Sequence, residues 1–292
     1  MSEPAERYFG EGDPRLRYFE WGDPADPVIL LLHATGFHAR CWDKVVAALP
    51  AGYRVIAVDH LGHGRSAKPD TLADWTRTAE PLMALVEGLE LRNVIGAGHS
   101  MGGHCLVQMA ARMGDRFTRL VLIDPVIMEP ALYKNAPKLE DVDPSANPVS
   151  RRRAVWDSPE QMFERLREHP SYAIWQPDVL MDYCRHGLLR RPDGDGFELA
   201  CPPLLEASVY AGSLCIDPYP MVDKVAVPVT ILRAPPGTRD GTLDFTRSPT
   251  WPGLVERFAD ACEVYLPELT HFMPMQDPVR IAYEIVNTSP IS

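Results

Sequence analysis

Asn93-Val94-Ile95-Gly96-Ala97-Gly98-His99-Ser100-Met101-Gly102-Gly103 is the stretch from which the rest of this chain can be read. A short apolar run from Val94 leads into Gly98-His99-Ser100-Met101-Gly102, and a helix-compatible segment follows from Gly103 to Arg112. A serine at the apex of so sharp a turn leaves no room for side chains two positions to either side. Gly98 and Gly102 meet that demand. The turn lifts the Ser100 hydroxyl into solvent above a sheet, with a helix N-terminus beneath it and the Met101 N–H aimed where an oxyanion would form. The pentapeptide alone marks any turn. With a strand before it and a helix after it, Ser100 becomes a candidate nucleophile.

Outward from this turn, strand-like and helix-like segments alternate, which predicts an α/β fold with a mostly parallel central sheet flanked by helices. Arg15–Trp21 alternates apolar and polar residues and reads as an antiparallel edge strand, while Val28–Leu32 is wholly apolar, as a strand buried on both faces requires. Tyr53–Val58, Asn93–Ala97 and Arg119–Ile123 continue the strand series, with an amphipathic segment at Cys41–Leu49 and helices expected at Leu72–Leu89 and Met101–Met113. The rhythm breaks between about Pro125 and Val225, where no clean strand is legible and helical stretches such as Pro159–Glu168 and Val179–Leu189 alternate with Pro-rich and charged ones. It resumes with strands Val227–Leu232 and Glu263–Leu266 and helices Gly253–Asp260 and Pro278–Asn287. The expected organisation is a core in two parts, residues 1–128 and 226–292, with a helical cap inserted at 129–225.

At 292 residues the chain can bury a full core, and its formal charge of −11 argues against nucleic acid or an anionic membrane as a partner, since both require phosphates to be neutralised. No apolar stretch approaches the length of a bilayer span, and Met1 to Gly12 is polar and acidic with no apolar core of a signal peptide. Cys41, Cys105, Cys184, Cys201, Cys215 and Cys262 are scattered with no C-x-x-C pair. A cytoplasmic protein with reduced thiols, no metal site and no cofactor is expected. The sequence leaves the oligomeric state open.

A serine hydroxyl needs a base to take its proton and a third group to orient that base. His271, in Leu266-Pro267-Glu268-Leu269-Thr270-His271-Phe272-Met273-Pro274, follows the last predicted strand and so falls on a loop at the same sheet edge as Ser100. His99 reads as a packing neighbour of the turn and stays among the pocket candidates; His104 reads as a helix-face residue. The loop after Val28–Leu32, His33-Ala34-Thr35-Gly36-Phe37, is built of small residues and is assigned the second oxyanion donor, the Thr35 N–H beside that of Met101. Asp59-His60-Leu61-Gly62-His63-Gly64-Arg65-Ser66 reads as a scaffold turn at the rim. Three aspartates compete for the acid: Asp124 at the end of its apolar strand, with Asp244 and Asp240 in the loop 233–250 as alternates.

With these parts in order, the chain resembles the α/β-hydrolase superfamily over nearly its whole length, as a serine-nucleophile, esterase- or lactonase-like member with a helical cap. The resemblance rests on His33–Phe37, Asp59–Ser66, Gly98–Gly102 and Thr270–Pro274. Ser248-Pro249-Thr250-Trp251-Pro252 with Leu266–His271 is similar to a subgroup that includes fungal toxin-biosynthesis and peroxisomal lipase-like hydrolases. Ala34 stands where many relatives carry glycine, and the compact G-x-x-D turn directly after the Val227–Leu232 strand is missing. The resemblance implies that the acid can instead follow the previous core strand, as in haloalkane dehalogenases and certain lactone hydrolases, which is where Asp124 falls.

The expected function is cleavage of a small acyl substrate, a carboxylic ester or lactone, through an acyl-enzyme on Ser100. Dehalogenase or epoxide chemistry is disfavoured, because a serine attacking saturated carbon would form a stable ether. The same triad used for C–C bond hydrolysis, perhydrolysis or acyl transfer is the alternative, and a ligand sensor that keeps the triad is a second. The cap supplies Trp156, Tyr172, Trp175, Met181, Tyr183 and Tyr210, and with Phe37 and His99 these make the pocket candidates Phe37, His99, Trp156, Trp175, Tyr183 and Tyr210.

Overall fold

The computed structural model describes residues 3–10, 15–237 and 244–287. Six strands come first: β1 (Ala5–Phe9), β2 (Leu16–Trp21), β3 (Val28–Leu32), β4 (Arg54–Asp59), β5 (Val94–His99) and β6 (Phe117–Ile123). Three short strands follow, β7 (Val155–Trp156), β8 (Leu188–Arg190) and β9 (Phe197–Leu199), then β10 (Val229–Arg233) and β11 (Ala261–Tyr265). The main sheet has the order β1-β2-β4-β3-β5-β6-β10-β11, antiparallel in its first two pairings and parallel from β4 onward. This is an α/β-hydrolase fold.

The apolar runs make the parallel strands because both faces are covered. Leu30 and Leu32 of β3 join Ile56 and Val58 of β4 in one core layer, while Ile29, Leu31, Val55 and Ala57 join the layer on the other face. Each large side chain so enclosed contributes about 1.5–3 kcal/mol.

Several boundaries differ from the sequence reading. β2 is not the edge, since β1 pairs outside it from Ala5↔Glu20 to Phe9↔Leu16. β1 leaves four of its five residues exposed and therefore carries no apolar signal. Main-chain pairing holds it, with ion pairs Arg7–Glu20 and Glu6–Arg17. The helix expected from Leu72 begins at Thr76, because residues 72–75 bind elsewhere: the Leu72 N–H donates to Ser208 Oγ and the Trp75 indole to the Val209 carbonyl. In place of a helix at Gly253–Asp260 there is one 3-10 turn, Leu254–Arg257, after which Phe258 is extended.

β6 and β10 are neighbours in the sheet, so the chain between them leaves and returns at one place. That excursion holds helices Pro159–Leu166, Pro177–His186 and Pro203–Gly212. It also contains the antiparallel sheet β7-β9-β8, where the sequence reading expected no strand. Strands of two or three residues are too short to show a period. Helix Pro159–Leu166 starts where Ser158 Oγ accepts the Gln161 N–H and Pro159 takes the first position. All six cysteines are free thiols, and among the described residues no helix is long and apolar enough to cross a membrane.

Candidate active site

Ser100 stands between β5 and helix Met101–Met113 with φ 57 and ψ −115, a backbone conformation that costs a non-glycine residue about 1–3 kcal/mol. Its surroundings hold it there. The Ser100 N–H donates to the Ile123 carbonyl at the end of β6 (2.9 Å), and the Ser100 carbonyl accepts from Val126 and His104 (both 3.2 Å). A Cβ at Gly102 would lie 2.2 Å from the Leu32 carbonyl oxygen, and one at Gly98 2.5 Å from the Gly102 backbone. Both glycines are thus demanded by close backbone approach, and the Ser100 side chain faces the cavity described below.

Three side chains from three sheet ends converge. His271 Nδ1 lies 2.6 Å from Asp124 Oδ2, and His271 Nε2 lies 3.0 Å from Ser100 Oγ. A carboxylate only accepts, so the proton sits on Nδ1 and leaves Nε2 to accept from the serine hydroxyl. Asp124 is fully buried, and its other oxygen accepts from the Ala234 N–H (3.1 Å) and the Ser248 hydroxyl (2.6 Å). Ser248 in turn accepts from the Thr250 N–H (3.1 Å), and the Thr250 hydroxyl donates to the Pro125 carbonyl. Sequence reasoning left Ser248 and Thr250 without a role, although they stand in the quoted Ser248–Pro252 motif.

Of the alternate acids, Asp244 is exposed and turned to other partners: its Oδ1 accepts the Thr246 N–H and hydroxyl, and Arg247 lies 3.5 Å from its Oδ2. The hydrogen bonds from Thr246 hold its carboxyl below the usual range. Asp240 lies outside the described residues.

The loop after β3 curls through a turn closed by Phe37 N–H to the Ala34 carbonyl (3.1 Å), with Gly36 at φ +78. His33 braces it. The His60 N–H donates to His33 Nε2 (3.0 Å), so Nδ1 carries the proton to the Ala34 carbonyl (2.7 Å). Burial, with His60 and His63 alongside, holds the His33 pKa well down and keeps the ring neutral. Asp59 ties the neighbouring turn to this loop by accepting the Ala39 N–H (2.7 Å) and the Arg65 N–H (2.8 Å). Thr35 is buried on the cavity wall with Ser100, and Met101 opens the helix beneath.

The cavity above Ser100 measures about 860 Å³. Phe37, Trp156, Tyr183 and Tyr210 line it, as do Tyr172, Trp75, Phe245 and Phe272. Two pocket candidates are corrected. His99 lies behind the histidine loop, donating from Nε2 to the His271 carbonyl (2.7 Å), with its pKa pushed by burial to about 3. Trp175 stacks on Phe37 at 5.5 Å and is packed away from the cavity in a cluster with Met162 and Leu180. Met181 does not reach the lining either. His104 lies on a buried face of its helix against Trp75, and burial pushes its pKa to about 4.

A feature without sequence signal is an ion pair in the wall between a half-buried Arg152 and a buried Glu206. Arg152 Nη1 contacts both Glu206 oxygens (3.0 and 2.7 Å), and its Nη2 donates to the Tyr183 hydroxyl (3.0 Å). Glu206 lies on the His33–Phe37 loop so closely that a Cβ at Gly36 would sit 2.3 Å from its Oε1.

The chain belongs to the alpha/beta hydrolase family, whose sequence model matches residues 29–284. Among curated proteins it is similar to a non-heme chloroperoxidase of Streptomyces lividans, 34% identical over 134 residues, covering 45% of this chain and 46% of that protein. A non-heme chloroperoxidase of Burkholderia pyrrocinia is 31% identical over 185 residues, covering 59% and 64%. The chain therefore spans less than two thirds of either relative. Among solved structures, E-2-(acetamidomethylene)succinate hydrolase superposes with a TM-score of 0.78 at 22% identity, covering 97% of this chain and 98% of that one. A peroxisomal alpha-beta-hydrolase of Saccharomyces cerevisiae gives 0.75 at 15%, covering 100% and 92%. The enol-lactonase of Burkholderia xenovorans LB400 gives 0.67 at 19%, covering 96% and 98%. These likenesses are likenesses of fold.

Proposed function

We propose that this chain is a serine hydrolase that cleaves a carboxylic ester or lactone through an acyl-enzyme on Ser100. The observation that carries the reading is the continuous hydrogen-bonded line Asp124–His271–Ser100, 2.6 and 3.0 Å long, at the floor of an aromatic cavity. His271 takes the hydroxyl proton as Ser100 Oγ bonds to the carbonyl carbon, and the Thr35 and Met101 N–H groups receive the oxyanion. His271 then protonates the leaving alcohol, or the hydroxyl end of an opened lactone. Water repeats the sequence, regenerating Ser100 and releasing the acid. In this reading the excursion 129–225 acts as the cap, enclosing the acyl group with Trp156, Tyr172, Tyr183 and Tyr210. The chemistry needs no metal or cofactor, and the reading places the enzyme in the cytoplasm.

A fluorophosphonate probe should label Ser100, and Ser100→Ala should abolish both labelling and turnover of aryl esters. Labelling that persists in the variant would overturn the assignment. A panel of aryl esters of increasing acyl length, with several lactones, sorts ester from lactone preference. The similarity to proteins named non-heme chloroperoxidases favours a second reading, perhydrolysis, in which hydrogen peroxide replaces water at the acyl-enzyme and a peracid leaves. Adding peroxide to the same assay and trapping the peracid separates the two.

A further inference from the structure

The charged groups of the cavity are distributed unevenly between its depth and its mouth. In depth, Arg152 is neutralised by Glu206 at 2.7 Å. At the mouth, Arg153, Arg165 and Arg247 line the cavity and are exposed, and among the described residues the acid lining it there is Asp244, 3.5 Å from Arg247. Arg153 is held in place by neutral groups: Nε donates to the Val155 carbonyl (2.7 Å), Nη2 to Gln161 (2.8 Å), and the guanidinium lies 4.1 Å from the Trp156 ring centroid. Arg165 makes no ion pair among the described residues. Of the acids on its own segment, Glu164 and Glu168 lie 3.5 and 3.8 Å from Arg167, Glu160 makes no ion pair among the described residues, and none of the three lines the cavity. A chain of net charge −11 thus presents, among the described residues, uncompensated positive charge at the mouth of the cavity.

We propose that the natural substrate is an anionic acyl compound, with an apolar segment and scissile carbonyl in the aromatic depth and a carboxylate at the mouth, held by Arg165 and Arg153. The proposal rests on the hydrolase reading for its chemistry, but the recognition is separable from it. The planar guanidinium fork suits a carboxylate, and the field of unpaired arginines draws anions against the overall charge.

The test compares the p-nitrophenyl monoester of adipic acid with the same ester whose free carboxyl is capped as a methyl ester. The wild type should favour the acid by about tenfold in kcat/KM, chiefly through KM, as expected of two partly exposed charge contacts. The preference should shrink in high salt and collapse toward unity in Arg165→Gln with Arg153→Gln. Arg167→Gln, on the same segment but off the cavity, should keep it. A ratio near one in the wild type, or one that survives the double substitution, overturns the proposal. Titration of the Ser100→Ala protein with monomethyl adipate and dimethyl adipate reads the same preference without turnover. If neither ester is hydrolysed, the hydrolase reading fails, while the binding ratio still decides the carboxylate proposal.

Discussion

The floor of the cavity is held by glycines and main-chain hydrogen bonds, whereas its roof is held by aromatic rings and the Arg152–Glu206 ion pair. On the floor, Gly98 and Gly102 let backbones approach so closely that no side chain fits, and Ser100, Asp124 and His271 are aimed by bonds between strand ends. In the roof, Trp156, Trp175, Met162 and Leu180 pack in a cluster that reaches down to Phe37, in the loop after β3, and to Phe272, next to His271. Backbone geometry admits one solution, while packed side chains admit many of similar volume. The floor is therefore the less tolerant of substitution and the roof the more tolerant.

The comparison is sharpest at the acid. Asp124→Asn should lower kcat by about four orders of magnitude, as removal of an orienting carboxylate does in serine proteases. Asp244→Asn should cost less than about tenfold, its carboxylate being exposed and bound to Thr246 and Arg247. Steady-state kinetics on one aryl ester checks both, and equal losses would erase the distinction drawn between the two aspartates.

Acid should unfold both regions. Burial lowers the pKa values of His38, His60, His99 and His186 to about 3 and those of His63 and His104 to about 4. Each folded-state value lies below the unfolded value of about 6.5, so the unfolded chain binds the extra protons. Their contribution is present above about pH 6.5 and is lost as the pH falls toward 4–3. Urea midpoints measured from pH 7.5 down to 4.5 should decline steadily, and a flat profile would contradict the burial of these rings.

Gly102→Ala should destabilise by more than about 3 kcal/mol, because the new methyl meets the Leu32 backbone with nothing flexible to yield. In the roof, Arg152→Met should cost about 2–3 kcal/mol by leaving Glu206 buried and unpaired, and adding Glu206→Leu should restore most of it. Thermal denaturation of these three proteins breaks the comparison if the floor change is the milder one. A far smaller effect than that of Asp124→Asn is expected of Ser248→Ala, which removes one hydrogen bond to Asp124 and should cost about 1–2 kcal/mol in kcat/KM, roughly tenfold.

How much of this was legible follows from the range of each interaction. The parallel strands could be read because wholly apolar runs such as Val28–Leu32 report burial on two faces. β1 could not, since its exposed residues are recruited by pairing with β2. The start of the helix at Thr76 was hidden because Ser208 and Val209, far along the chain, capture residues 72–75. Ser100, His271, Thr35 and Met101 stood out through local motifs. Ser248 was visible only as part of a motif, and Arg152, Glu206 and the arginines of the mouth gave no signal.

The sequence by itself determined the turn at Ser100, the positions of the core parallel strands along the chain and the histidine loop, because steric demands and apolar periodicity act within a few residues. Only the tertiary structure decided which aspartate meets His271, across 147 residues of chain, and which side chains face the cavity rather than the packed roof. Such choices depend on which distant backbones come within a hydrogen bond of one another, and no local pattern of residues encodes that distance.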